Sequence, residues 1–132
     1  MTLPFDTHVL VVDDFESMRR ILKQVLHDIG FRHITLADDG TTALALLRQG
    51  GFGLLVTDWS MPQMDGLELV RAVRADPRLQ SLPILMVSAE AKREQIIAAA
   101  RAGVNDYIVK PFMAETLRLK VERMLDAAAK TP

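Results

Sequence analysis

The feature that most restricts the fold of this 132-residue chain is its rhythm: five short apolar runs, each followed by a segment whose apolar residues recur at helical spacing. Val9-Leu10-Val11-Val12 is continuous and β-branched, the composition of a strand covered on both faces. Met18, Ile21, Leu22, Val25 and Ile29 then recur every three or four residues and stop at Gly30, which predicts an amphipathic helix ended by a glycine. The same alternation predicts further strands over 33–37, 52–57, 83–87 and 106–109. The later helices carry Ala43, Leu44 and Leu47, then Leu67, Val70 and Val73, then the alanine-rich stretch 91–102. The last, over 113–128, carries Leu117, Val121, Met124 and Ala128 on its core stripe. Thr41 or Thr42 is the expected cap of the second helix. Strict alternation of five strands and five helices implies right-handed crossovers and a parallel sheet covered on both faces.

Composition narrows the function classes. Lys+Arg 16 against Asp+Glu 17 gives a net charge of −1, without the basic excess of a nucleic-acid binder. The absence of cysteine excludes disulfides and a thiol nucleophile. No apolar stretch approaches the roughly 20 residues of a membrane-spanning helix, and Met1 to Asp6 lack a basic secretory leader. The expectation is one cytoplasmic, monomeric domain over 1–132, its core at about 8–128, with no output domain and no nucleic-acid or membrane partner. His8, His27 and His33 lack metal-ligand spacing. Gly50-Gly51-Phe52-Gly53 precedes a strand rather than opening a helix, so it is no phosphate loop.

In an open parallel sheet the ligand site lies outside the carboxyl ends of the strands, where strand order reverses. The first strand here ends in Asp13-Asp14, the third in Asp58, the fourth in Ser88 and the fifth in Lys110-Pro111. Helix capping accounts for any one aspartate; it is a poor account of polar groups ending four strands of five. Three carboxylates on one rim repel one another, and a divalent cation relieves that repulsion. With only oxygen ligands on offer, Mg²⁺ fits best, because it takes one or two carboxylates and keeps positions for water and phosphate oxygens. The set suits a phosphoryl group: Asp58, mid-rim on the central strand, as covalent acceptor, Lys110 as counter-charge and the Ser88 hydroxyl as hydrogen-bond donor. An X-Pro bond can be cis, which at Lys110-Pro111 would turn the lysine toward the rim.

The blocks Val11-Val12-Asp13-Asp14, Thr57-Asp58-Trp59-Ser60-Met61-Pro62, Met64-Asp65-Gly66, Ser88-Ala89-Glu90-Ala91-Lys92 and Tyr107-Ile108-Val109-Lys110-Pro111-Phe112 resemble the receiver domain of two-component signalling, and within it the single-domain chemotaxis regulators. The resemblance runs from about His8 to Leu125 and implies a flavodoxin-like, doubly wound receiver fold. It implies phosphorylation of Asp58 by a histidine kinase, with Asp14, Asp58 and the backbone carbonyl of Ser60 binding Mg²⁺ and Asp13 holding a metal-bound water. Ser88 would sense the phosphoryl group, Lys110 would pair with it, and Tyr107 would change rotamer. The face built from the fourth helix, fifth strand and fifth helix would then dock on the flagellar motor switch protein through Ala91, Lys92, Ile96, Tyr107, Val109 and Lys120. A dedicated phosphatase is a further possible partner. On this reading the chain is a phosphoacceptor with its own phosphotransfer and dephosphorylation chemistry, not an enzyme acting on a separate substrate.

Three positions depart from familiar relatives: Ser88 where threonine is usual, Ser60 where asparagine is usual, and Asp106 where glycine is usual. The first two bear on reaction rates and the third on partner choice. Trp59 either packs against the rim or takes part in metal sensing, and Tyr107 is either a static anchor or the switch. Ile96 and Ile97 lie about 100° apart on their helix, so one of them is expected to be part-exposed. Three rival readings stand beside the motor-binding regulator. They are a phosphate sink or phosphorelay intermediate using the same rim, a receiver serving as an unphosphorylated scaffold, and an aspartyl-phosphate phosphatase. The last would need a cap insertion that these short loops do not provide.

Overall fold

The computed structural model describes residues 4–130, without the side chain of Lys130. Five strands, β1 (His8–Val12), β2 (His33–Ala37), β3 (Leu54–Thr57), β4 (Ile84–Ser88) and β5 (Asp106–Val109), alternate with five helices. These are α1 (Glu16–Ile29), α2 (Gly40–Gln49), α3 (Gly66–Ala75), α4 (Arg93–Ala102) and α5 (Ala114–Lys130). All neighbouring strands are parallel, in the order β2-β1-β3-β4-β5. The chain moves one way from β1 to β2 and the other way from β1 to β3. Strand order therefore reverses between β1 and β3, and a crevice opens beyond their carboxyl ends.

The three central strands, β1, β3 and β4, are buried on both faces, which is why they read as unbroken apolar runs, whereas the edge strands β2 and β5 are partly exposed. Successive side chains point to opposite faces. Val9, Val11, Leu54, Val56, Leu85 and Val87 pack with Leu22 and Leu26 of α1 and Leu117 and Val121 of α5. Leu10, Val12, Leu55, Ile84 and Met86 pack on the other side with Leu44, Leu47, Leu69, Val70, Val73 and Ala99. Each fully buried leucine or isoleucine contributes about 1.5–3 kcal/mol relative to exposure, and the two layers together hold the strand ends in fixed register.

Several local expectations change. Asp39, not Thr41 or Thr42, caps α2: its Oδ1 accepts from the Thr42 backbone N–H at 2.7 Å, because the helix begins at Gly40, two or three residues earlier than a threonine cap would place it. Ile21 is 49% exposed, lying about 100° round the helix from Leu22, while Leu26 takes the core position. At the end of α5, Leu125 is buried and Ala128 is exposed, because Ala128 faces an open cavity with Ser81, Pro83 and Asn105 rather than the packed sheet. In α3 Leu69 joins Val70 and Val73 in the core, and Leu67 is only half-buried. β3 begins at Leu54 and α4 at Arg93, each two residues later than the sequence pattern suggests.

Candidate phosphoacceptor and metal site

The two strands flanking the topological switch deliver the acidic groups. Asp13 and Asp14 follow β1 directly, and Asp58 follows β3; the Asp58 N–H donates to Val12 O at 2.9 Å, extending the ladder by one residue. The next turn brings the chain back through a close backbone approach at Gly66. A Cβ there would stand 2.0 Å from Asp58 O, so only glycine lets α3 begin against the Asp58 backbone. Asp65 then caps α3 in a reciprocal capping box with Glu68. From the far side, the Lys110 N–H donates to Ser88 O at 2.8 Å and aligns the ends of β4 and β5. The Lys110-Pro111 bond is cis.

The side chains meet at one point. Lys110 Nζ donates to Asp13 Oδ2 at 2.6 Å and to Asp58 Oδ2 at 3.2 Å. The remaining oxygen of each carboxylate is held by backbone: Asp13 Oδ1 accepts from Phe15 N–H at 2.9 Å, and Asp58 Oδ1 from Trp59 N–H at 2.6 Å. Asp13, Asp58 and Ser88 are buried, whereas Asp14 is exposed. Burial pushes the Asp13 carboxyl above the ordinary aspartate range, and the neighbouring Asp58 charge adds to this, against the pull of Lys110 and the Phe15 N–H. Asp14, Asp58, Ser60, Ser88 and Lys110 line one open cavity of about 370 Å³.

Carboxylate oxygens of Asp13, Asp14 and Asp58 lie within 4.8 Å of one another. Three carboxylates against one ammonium leave a negative excess in a partly dry cleft, and every donor is oxygen. That donor set fits a hard divalent cation such as Mg²⁺. Repulsion among these groups should cost stability when no cation is bound. Asp13→Asn is accordingly expected to raise the metal-free unfolding midpoint at pH 7; a relief of about 1 kcal/mol corresponds to roughly 3–5 °C. The Asp13 carboxyl titrates above its unfolded value, so the folded state holds the extra proton between the two values and stability falls as pH rises through that window. The gain from Asp13→Asn should therefore shrink below the ordinary aspartate range. Thermal scans across pH check this, and a variant melting at or below the parent at pH 7 contradicts it.

The chain matches receiver domains in sequence and in fold. The model of the response regulator receiver domain matches residues 9–122. The chain belongs to that family. This receiver domain is 60% identical over 118 residues to the chemotaxis protein CheY of Pseudomonas aeruginosa, an alignment covering 89% of this chain and 95% of that protein. Chemotaxis response regulator CheY4 of Vibrio cholerae superimposes with a TM-score of 0.83 at 36% identity, over 90% of this chain and 98% of that one. The receiver domain of a sensor histidine kinase from Pseudomonas aeruginosa, solved with a magnesium ion coordinated in its active site cleft, aligns with a TM-score of 0.83 at 27% identity, over 91% and 98%.

The other residues singled out from the sequence are placed as follows. Tyr107 is half-buried, its hydroxyl donating to Glu90 O at 2.7 Å, and burial pushes its phenol above the ordinary range. Ser88 Oγ accepts from Glu90 N–H at 3.2 Å. Trp59 packs against the second apolar layer. Tyr107, Val109 and Lys120 line one groove with Phe112, Met113 and Thr116. Ala91 and Lys92 are exposed outside that groove, Ile96 is half-buried, and Ile97 is the more exposed of the isoleucine pair. Lys120 is engaged by Asp106 Oδ1 at 3.0 Å and Tyr107 O at 2.8 Å, so the Asp106 departure places its carboxylate on a residue of the expected partner face. Phe15, Ser17, Met18 and Glu90 also line the cavity and were not singled out. Their signal was positional: each lies within a few residues of a strand end that bears a site group.

Proposed function

We propose that this chain is a phosphorylation-driven switch of chemotaxis that accepts a phosphoryl group from a histidine kinase on Asp58. The observation that carries this reading is the single ammonium of Lys110 shared between a buried Asp13 and Asp58 on the switch-point rim. The similarity to Pseudomonas aeruginosa CheY supports it. In the transfer, an Asp58 carboxylate oxygen attacks phosphorus, the phosphorus–nitrogen bond to the donor imidazole breaks, and that nitrogen keeps the electron pair. Water later attacks phosphorus and the oxygen–phosphorus bond breaks, returning the carboxylate and inorganic phosphate. A Mg²⁺ held by Asp14, Asp58 and the Ser60 carbonyl, with Asp13 on a metal-bound water, would supply charge neutralisation at the phosphoryl oxygens.

The chain's own groups would convert that chemistry into a change of surface. Lys110 would move from the Asp13–Asp58 pair onto a phosphoryl oxygen, and Ser88 would turn its hydroxyl toward another. Shifting a two-state equilibrium from 1:99 to 99:1 takes about 5.5 kcal/mol. Two hydrogen bonds to a charged group, at about 1.5–3 kcal/mol each, supply energy of that order. Ser88 would then release the Glu90 N–H, and the Glu90 carbonyl is what holds the Tyr107 hydroxyl. A change at the acceptor would thereby reach the groove of Tyr107, Val109 and Lys120, next to Ala91, Lys92 and Ile96, where the flagellar motor switch protein would dock. The protein would act in the cytoplasm as a monomer, its product being its own modified Asp58.

The test is a pull-down on the N-terminal segment of the motor switch protein, with and without acetyl phosphate and Mg²⁺. Binding is expected to rise at least about tenfold on phosphorylation, the scale of an ordinary allosteric coupling. Labelling with no gain in binding would overturn the motor-binding assignment in favour of a receiver that drains phosphoryl groups from the kinase.

A further inference from the structure

The site's most exposed carboxylate has the least to hold it. Asp13 is fixed by Lys110 and the Phe15 N–H, and Asp58 by Lys110 and the Trp59 N–H. Asp14 makes no side-chain hydrogen bond to another described residue, so its place is set by the backbone that carries it. That backbone is a turn between β1 and α1, and no side chain caps the helix that follows. One side chain reaches back to the turn. Arg19, half-buried in the first turns of α1, donates from Nη1 to the Asp13 carbonyl oxygen at 2.6 Å. That carbonyl belongs to the peptide linking Asp13 to Asp14, so its orientation sets where the Asp14 Cα stands relative to Asp13 and Asp58.

We propose that Arg19 is a positioning residue for the divalent-cation site, acting through the Asp13–Asp14 peptide and touching neither cation nor phosphoryl group. The inference rests on the reading of the acidic cluster as a Mg²⁺ site. Its physical sign separates it from a charge effect. A guanidinium near three carboxylates repels an incoming cation, so losing it for electrostatic reasons alone would tighten Mg²⁺ binding. Losing a group that orients the ligands weakens binding instead, as removal of outer-shell partners does elsewhere. Arg20, the neighbouring arginine, points outward to Glu16 at 2.6 Å and serves as the matched control.

The experiment titrates magnesium chloride into the full chain and reads Mg²⁺ binding by calorimetry and by the fluorescence of Trp59, its one tryptophan. Arg19→Ala is expected to bind Mg²⁺ about tenfold more weakly than the parent, while Arg20→Ala binds as well as the parent or slightly better. Arg19→Lys, which keeps a donor for the carbonyl, should recover most of the loss. If Arg19→Ala does not fold, Arg19→Gln, uncharged and shorter, should show weakened binding in its place. Parent-like or tighter Mg²⁺ binding by Arg19→Ala or Arg19→Gln would overturn the positioning role. A parent that binds no Mg²⁺ would overturn the cation site itself, a separate and distinguishable result.

Discussion

Asp58→Asn should lose acid-labile phosphoryl incorporation from acetyl phosphate by more than about 100-fold, because the amide that replaces the carboxylate is no nucleophile at neutral pH. The fold should survive the change. Asp58 lies at the cavity rather than inside either apolar layer, and an asparagine keeps an oxygen for the Trp59 N–H now 2.6 Å away. Removing one of three crowded carboxylates also relieves repulsion in the metal-free protein, so the variant should melt no lower than the parent. Intact-mass measurement after incubation with acetyl phosphate and Mg²⁺ reads both the label and its loss. Asp13 and Asp14 offer carboxylates in the same cluster, within 4.8 Å. Their positions differ, however: Asp13 is buried against Lys110, and Asp14 stands at the exposed margin. Undiminished labelling of Asp58→Asn would move the acceptor to one of these two and remove the assignment of Asp58.

Lys110→Ala should separate chemistry from signalling. With the ammonium gone, Asp13 keeps only the Phe15 N–H as a partner. A buried carboxylate that loses a charged partner costs about 1–3 kcal/mol, so the metal-free variant should melt below the parent and recover part of the difference when Mg²⁺ is added. Asp58 remains as acceptor, and phosphorylation from acetyl phosphate should persist. What should disappear is the phosphorylation-dependent gain in partner binding, by about tenfold or more, since a hydrogen bond to a charged group of about 1.5–3 kcal/mol no longer favours the switched state. A Lys110→Ala protein that still gains partner affinity on phosphorylation would show that the coupling runs through Ser88 alone.

Much of this was legible from residue order. A parallel sheet buried on both faces needs unbroken apolar strands, and Val9–Val12, Leu54–Val56 and Ile84–Val87 are such runs. A helix covering one face needs apolar residues at a 3.6-residue period, and Leu22, Leu47, Val70 and Leu117 fall on such stripes. The site residues were visible because each sits at the end of a strand, and the doubly wound topology sends all strand ends to one rim. The errors arose where a tertiary neighbour outranked a local preference. Ala128 has the right period for the core of α5, but what it meets is an open cavity. Ile21 has an apolar side chain on an amphipathic helix and still points to solvent.

The sequence by itself determined the element order, the layer architecture and the identity of the groups on the rim, because these follow from hydrophobic periodicity and from the short connections that parallel strands require. Only the tertiary structure decided how those groups are paired. Lys110 reaches Asp13 across 97 positions and Asp58 across 52, and Arg74 of α3 ties down the carbonyls of Gln80 and Leu82 in the α3–β4 connection and of Gly103 in the α4–β5 connection. No local pattern encodes such bonds. They form because packing on both faces of the sheet fixes distant strand and helix ends within a few ångströms, where buried charges and carbonyls must find partners or leave the fold less stable.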